Sequence, residues 1–213
     1  MSTFDLPVTP ARVRMEPRAN TGLFPSPLLA SAQTVNRGGQ KWACTLTFPP
    51  LRGRNRANMM SLVTKLEGQE NRLRVAVTDN PKDGAYGGTP LVTGAAQTGS
   101  SLAIDGCTAN VTNWIREGDY LSVIVNGEPE LKICTADASS DGLGNVTVQF
   151  KPNLRASPAD NAVIYVEDGV LTRPTGVFLL EEPDAGWDSR PGHPSKVGSF
   201  VLNLVEDVWA TQA

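Results

Sequence analysis

One stretch constrains this chain more than any other: Gly39-Gln40-Lys41-Trp42-Ala43-Cys44-Thr45-Leu46-Thr47-Phe48-Pro49-Pro50-Leu51 and the segment that follows it to Val77. Trp42, Cys44, Leu46 and Phe48 alternate with Lys41, Ala43, Thr45 and Thr47, the period of a strand with one apolar face. Pro49 and Pro50 donate no backbone hydrogen bond to a ladder, so they end the strand. Met59, Leu62, Val63 and Leu66 then recur at helical spacing and predict a helix over about 54–67, with Arg54, Arg56, Lys65 and Glu67 left to water. Gly68 stands where a C-terminal cap belongs, and Arg72-Leu73-Arg74-Val75-Ala76-Val77 resumes strand alternation. A helix with one apolar stripe, held between two strands, has to close over a sheet as a crossover.

The rest of the chain is punctuated for β structure. Its 213 residues hold 20 Gly and 16 Pro, spread throughout, which favours short strands joined by turns over long helices. Residues 1–31 are Pro-rich; Ala11–Glu16 alternates as a strand, and the remainder reads as an arm or loop that neighbours must order. Residues 32–37 and 41–48 read as two strands around the turn Arg37-Gly38-Gly39. Asn80–Gly84 and Tyr86–Pro90 are dense in turn residues and mark a boundary. Beyond it come five short runs: Ser101–Ile104, Tyr120–Val125, Leu131–Thr135, Val146–Phe150 and Ala162–Val166. Asn126-Gly127 between two of them is a hairpin signal. The tail returns to longer strands, Gly176–Glu182 and Lys196–Glu206, around a polar Pro/Gly loop at 183–194.

The expectation is therefore a mainly β protein. Residues 1–89 and 171–213 form a discontinuous β-sandwich outer domain with one crossover helix, and residues 90–170 form an inserted small β-barrel or sandwich. The N-terminal piece has too few strands to cover its helix, so the C-terminal strands complete that sheet.

No constellation for catalysis, cofactor binding or metal binding is expected. His193 is the only histidine, and no carboxylate pattern or cysteine accompanies it. Glu181-Glu182 and Glu206-Asp207 are adjacent pairs, which face opposite sides of a strand. Asp137 to Asn145 lacks the ligand spacing of a calcium loop and reads as a hairpin turn. No Gly-x-Ser-x-Gly elbow or phosphate loop occurs. Cys44, Cys107 and Cys134 are odd in number, widely spaced and set in apolar runs, which suits buried reduced thiols. No apolar run is long enough to span a bilayer, and the N-terminus has no secretory pattern.

Charge is divided unevenly. The net charge is −3, but residues 1–75 carry +7 and the remainder −10. Such polarity suits complementary faces meeting between subunits. Arg52-Gly53-Arg54-Asn55-Arg56 is the one basic cluster, and without interleaved aromatics it is not expected to bind nucleic acid directly.

Two segments resemble patterns in tail proteins of long-tailed bacteriophages. The first is Trp42 to Leu51 with the helix to Gly68 and Asn71-Arg72-Leu73-Arg74-Val75. The second begins with Thr98-Gly99-Ser100-Ser101-Leu102, Asp105-Gly106 and Glu117-Gly118-Asp119-Tyr120-Leu121. It continues through Leu131-Lys132-Ile133, Thr135-Ala136-Asp137 and Asp141 to Val148, ending at Pro152 to Asp160. The resemblance covers about residues 40–170 and is nearest to a distal-tail-like protein of the tail tip.

It implies a non-enzymatic virion component, made in the host cytoplasm. A belt-like β-sandwich would close into a ring of identical subunits, with a hexamer the expected form, joining the tail tube protein to a hub or baseplate protein. Arg52, Arg54, Arg56, Trp187 and His193 are the expected subunit-interface residues. The alternative is a virion module whose inserted domain recognises carbohydrate at a host surface through aromatics such as Trp114, Tyr120, Phe150 and Tyr165.

Overall fold

A computed structural model describes residues 1–25, 31–78, 81–166, 173–187 and 200–208. The protein is mainly β with one helix, and its strands form two six-stranded sheets and a separate hairpin.

The first sheet draws on both ends of the chain. Its order is β1 (Thr3–Asp5), β6 (Arg72–Ala76), β13 (Thr175–Leu180), β14 (Val201–Glu206), β5 (Lys41–Thr47) and β2 (Arg12–Arg18). Every pairing is antiparallel except that of β1 with β6. The alternation read in β5 is realised: Trp42, Cys44, Leu46 and Phe48 are all buried in one cluster. Across the ladder Leu46 faces Leu202 and Val13, and Cys44 faces Leu204 and Met15, so the apolar residues of neighbouring strands share one side of the sheet.

The helix α1 (Gly53–Leu66) buries Met59, Leu62, Val63 and Leu66 in that same cluster. It lies within one residue of its expected bounds. Glu67, not Gly68, takes the first left-handed position at its C-terminus, with φ 48°, and Gly68 follows at φ 67°. The amide of Asn71 then donates to the carbonyl of Leu66, and its side chain to that of Lys65, which satisfies the last turn. β5 and β6, the strands the helix joins, are separated by β13 and β14, both from the far end of the chain.

The second sheet is made wholly from residues 88–165. Its order is β12 (Ile164–Tyr165), β9 (Tyr120–Val125), β10 (Glu128–Cys134), β11 (Val146–Lys151), β8 (Ser101–Cys107) and β7 (Gly88–Val92). Its two edges meet: the Val92 amide donates to Ala162, the Asn161 amide donates to Val92, and Leu91 bridges Val163, so the sheet curls nearly into a barrel. Val92, Leu102, Ile104, Trp114, Val123, Val148 and Phe150 fill it. Asn126 and Gly127 both have positive φ (50° and 86°) and turn β9 into β10 with Val125 facing Glu128, the hairpin expected from that dipeptide.

Two local readings are corrected. Residues 32–36 do form a strand, β4 (Ala32–Asn36), but it pairs with β3 (Thr21–Pro25) and not with β5. Arg37-Gly38-Gly39 therefore links the hairpin to the sheet and does not turn one strand back on the next. The turn residues before Pro90 also give way sooner than read: Tyr86, Gly87 and Gly88 have positive φ, yet β7 already begins at Gly88.

Replacing Phe178, fully buried in the first sheet's cluster, by Ala should cost about 3–5 kcal/mol in a urea titration. Asn203→Ala, on the exposed face of the neighbouring strand, should stay within about 0.5 kcal/mol. Equal losses at the two positions would mean that this face is not the core.

Candidate functional site

The most concentrated chemistry lies where the two sheets meet. β10 is buried on both of its faces over Pro129–Lys132. One face carries Leu131 and Ile133, which pack into the first sheet's cluster together with Tyr120 of β9. The other carries Glu130, Lys132 and Cys134 on the barrel side, as strand alternation requires. The first sheet has made room for this contact. A side chain on Gly176 would come within 3.2 Å of Leu131 Cβ and 2.8 Å of the Phe178 ring, so only glycine admits that approach.

Trp42 ties the seam together. Its indole Nε1–H donates to the carbonyl of Leu131 at 3.0 Å, its ring lies 5.9 Å from that of Tyr120, and its backbone amide donates to Glu206 Oε2 at 2.9 Å. Glu206 also accepts from Arg155 Nη2 at 2.6 Å. The same Arg155 nitrogen donates to the carbonyl of Gln40 at 3.3 Å. Lys132 Nζ lies 2.7 Å from Glu130 Oε2 and donates to the carbonyl of Asn153 at 3.1 Å. The exposures of the four side chains are 0% for Lys132, 1% for Glu130, 7% for Arg155 and 4% for Glu206.

Burial dominates the electrostatics of this seam. It pushes the Lys132 ammonium below its ordinary value, opposed by the Glu130 carboxylate. It pushes the Glu206 carboxyl upward, opposed first by Arg155 and then by Lys132. Each charge is therefore sustained by its partner and not by water. The arrangement suits a fastener between sheets. An opening of about 230 Å³ lies between Gly38–Gln40 and Lys151–Arg155, and of the four side chains only Arg155 lines it.

The expected interface residues lie elsewhere. Arg52 and Arg54 are exposed at the start of α1, and Arg56 is half-buried. Arg52 occupies the N-cap position without a side-chain cap, and the first turn has no acidic residue, so three arginines stand at the positive end of the helix dipole. Trp187 is partly exposed, with its ring 6.4 Å from that of Phe200. The Phe200 carbonyl accepts from the Phe48 amide, which places Trp187 beside the Pro-Pro corner that leads into α1. No contact joins Trp187 to Arg52, Arg54 or Arg56 among those described. His193 lies outside the described residues.

Other polar groups are consumed by the fold. Asp119, fully buried, accepts from the backbone amides of Asp83, Gly84 and Arg116 at 3.0–3.1 Å. Asp141 accepts from the amides of Leu143 and Asn145 and from the Asn145 side chain, and these bonds hold its carboxyl below the usual range. Its segment is the hairpin turn that its spacing suggested. The adjacent acids diverge: Glu206 faces the seam, while Asp207 meets Arg72 Nε at 2.6 Å. Among the described residues no three His, Cys, Asp or Glu side chains converge where they could hold a metal ion, and no helix is long and apolar enough to cross a membrane.

The sequence reading passed over the seam. A signal was present: Leu202, Leu204 and Glu206 share a strand face, so alternation alone sets a carboxylate on the buried side. Lys132 two residues after Glu130 is the same kind of exception. Arg155, in a Pro/Ser-rich loop, carries no such mark.

Removing one partner of a buried pair strands the other. Arg155→Met should therefore cost about 3–5 kcal/mol, and adding Glu206→Gln should recover most of it. With Arg155 gone, the Glu206 carboxyl rises further above its unfolded value. Its contribution to stability is complete below the unfolded value and is lost as pH rises through the folded one. The deficit of Arg155→Met should consequently shrink from about pH 7.5 to about pH 5, read as urea midpoints. Burial also raises the Cys107 thiol to about 12, and Cys44, Cys107 and Cys134 are all buried and outside any disulfide. A thiol reagent near neutral pH should label none of them in the folded protein and all three after unfolding.

In comparisons with known proteins, no family model and no curated protein matches this chain.

Proposed function

We propose that this chain is a non-enzymatic structural subunit of a long-tailed bacteriophage tail. In this reading it is a distal-tail-like component of the virion's tail tip, forming a ring that joins the tail tube to the hub or baseplate. The observation that carries the reading is the sheet built from both ends of the chain around a nearly closed β-barrel. Strands from 3–76 and 175–206 form the first sheet, and strands from 88–165 form the second. That arrangement resembles the belt-like β-sandwich with an added β domain expected of such tail proteins.

Three features agree with an assembly role. The buried seam fixes the barrel against the belt-like sheet, as a scaffold under load requires. Arg52 and Arg54 at the helix start and the partly exposed Trp187 are groups that a neighbouring subunit could meet. Asp119, Glu130, Lys132, Arg155 and Glu206 are held by one another or by backbone groups.

Carbohydrate recognition has less to build on. Trp114 and Phe150 are fully buried in the barrel, Tyr120 stacks toward Trp42 across the seam, and Tyr165 is half-buried. A glycan platform needs an open aromatic face.

Mass photometry and negative-stain electron microscopy of the purified chain test the proposal. The expected result is a closed ring of a single subunit count that grows with protein concentration. A monomer persisting at high concentration, with no density for this chain at the tip of tail particles, would overturn it.

A further inference from the structure

The two ends of α1 carry opposite charge, and each is set against the helix dipole. Arg52 stands at the N-cap, Arg54 in the first turn and Arg56 just behind it, while Glu67 is the C-cap and Glu70 follows it closely. Cations are disfavoured at a helix N-terminus and anions at its C-terminus. No Asp or Glu occurs between Pro17 and Leu66, so the helix and its approach supply no acid of their own to offset the arginines. Arg52 and Arg54 are exposed and enter no ion pair among the described residues. Both placements therefore work against α1 itself, and their use lies outside it.

Tertiary structure enlarges the acidic end. Gln69 Nε2 donates to the carbonyls of Leu180 and Glu181 at 3.0 and 2.8 Å, and a side chain on Gly68 would lie 3.4 Å from the Pro183 carbonyl oxygen. The chain leaving β13 is thus laid against the helix end. It brings the exposed Glu182 and Asp184, which flank Pro183, beside the exposed Glu67 and Glu70. Nearby cations are engaged elsewhere. Arg18 is paired with Glu181, Arg72 with Asp207, and Lys65 of the last turn sits 5.8 Å over the Phe4 ring.

The two poles cannot serve each other within one copy. A 14-residue helix spans about 21 Å, more than twice the screening length of about 8 Å at physiological salt. Between them the exposed Ala57, Ser61 and Thr64 carry no charge.

We infer that the arginine-bearing start of α1 in one copy docks on the patch formed by Glu67, Glu70, Glu182 and Asp184 in the next. Each end then receives the charge that its dipole favours. The surfaces are unlike and lie at opposite ends of one helix, so the contact runs head to tail and propagates until its rotation closes a ring. This contact belongs to the ring proposed above and rests on that reading.

Sedimentation velocity and mass photometry of the purified chain test it, with variants at exposed positions. Arg52→Glu with Arg54→Glu turns the basic start acidic. Glu70→Lys with Glu182→Lys and Asp184→Lys turns the acidic patch basic. Each set should weaken self-association at least about tenfold with no loss of thermal midpoint, because like charges then face each other. Wild-type association should also fall as salt is raised. A chain carrying all five substitutions exchanges the poles and should assemble again. If either set alone assembles like wild type, the ends of α1 are not the contact, although the ring stands. If both sets dissociate and the combined variant stays apart as well, the two ends do not meet each other. If wild type itself stays monomeric, the ring and this contact fall together.

Discussion

The structure turns on one contact, the approach of Leu131 to the first sheet beneath Trp42 and over Gly176. The apolar face of that sheet is larger than its helix can cover. α1 takes part of it with Met59, Leu62, Val63 and Leu66, and the β9–β10 hairpin of the barrel takes more with Tyr120, Leu131 and Ile133. The barrel is thus held as a second lid on the same face, and the two sheets are joined by shared core as well as by their connecting chain. A chain segment inserted between distant strands usually keeps its own core and remains loosely attached. Here β10 belongs to both sheets' packing, which removes that freedom.

The buried charges follow from this geometry. Where β10, still paired with β9, lies over the first sheet, Glu130 and Lys132 enter a region that water no longer reaches, and Glu206 at the end of β14 meets Arg155. Hydrophobic residues of similar size would hold the sheets together as well or better, since desolvation consumes most of what a buried ion pair gains. What the charges add is register. The Trp42 amide holds the Glu206 carboxylate within the first sheet, and Arg155 of the barrel has to reach that carboxylate where it stands.

A scaffold of this kind explains where binding surfaces can arise. The inner face of the first sheet is covered by helix and barrel, so partners must use its edges, its outer face or the connecting loops. β1 is three residues long and its neighbourhood forms a groove; β2 is followed at once by an apolar arm. Arg52 and Arg54 project from an uncapped helix start, where an acidic neighbour would be favoured. Edges, arm and helix start all look outward from the core.

Much of this was legible along the chain. Period-two alternation placed β5, β6 and β13, short runs between turn residues placed β9 and β11, helical spacing placed α1, and Asn126-Gly127 placed a hairpin, because each depends on residues within a turn or two of one another. Even the joining of the first sheet's halves could be argued, from a helix that lacked enough strands beneath it. The partner of β4 was misread because its pattern allows either neighbour, and only the packing of β5 between β14 and β2 leaves it no room beside β5. The seam escaped for a stronger reason. Glu130, Arg155 and Glu206 are scattered along the chain, and no local pattern says that they meet. Local sequence decided which residues face inward from each strand. Whether an inward charge would be stranded or satisfied depended on the partner that arrived from across the fold, and that was settled only when the barrel closed over the sheet.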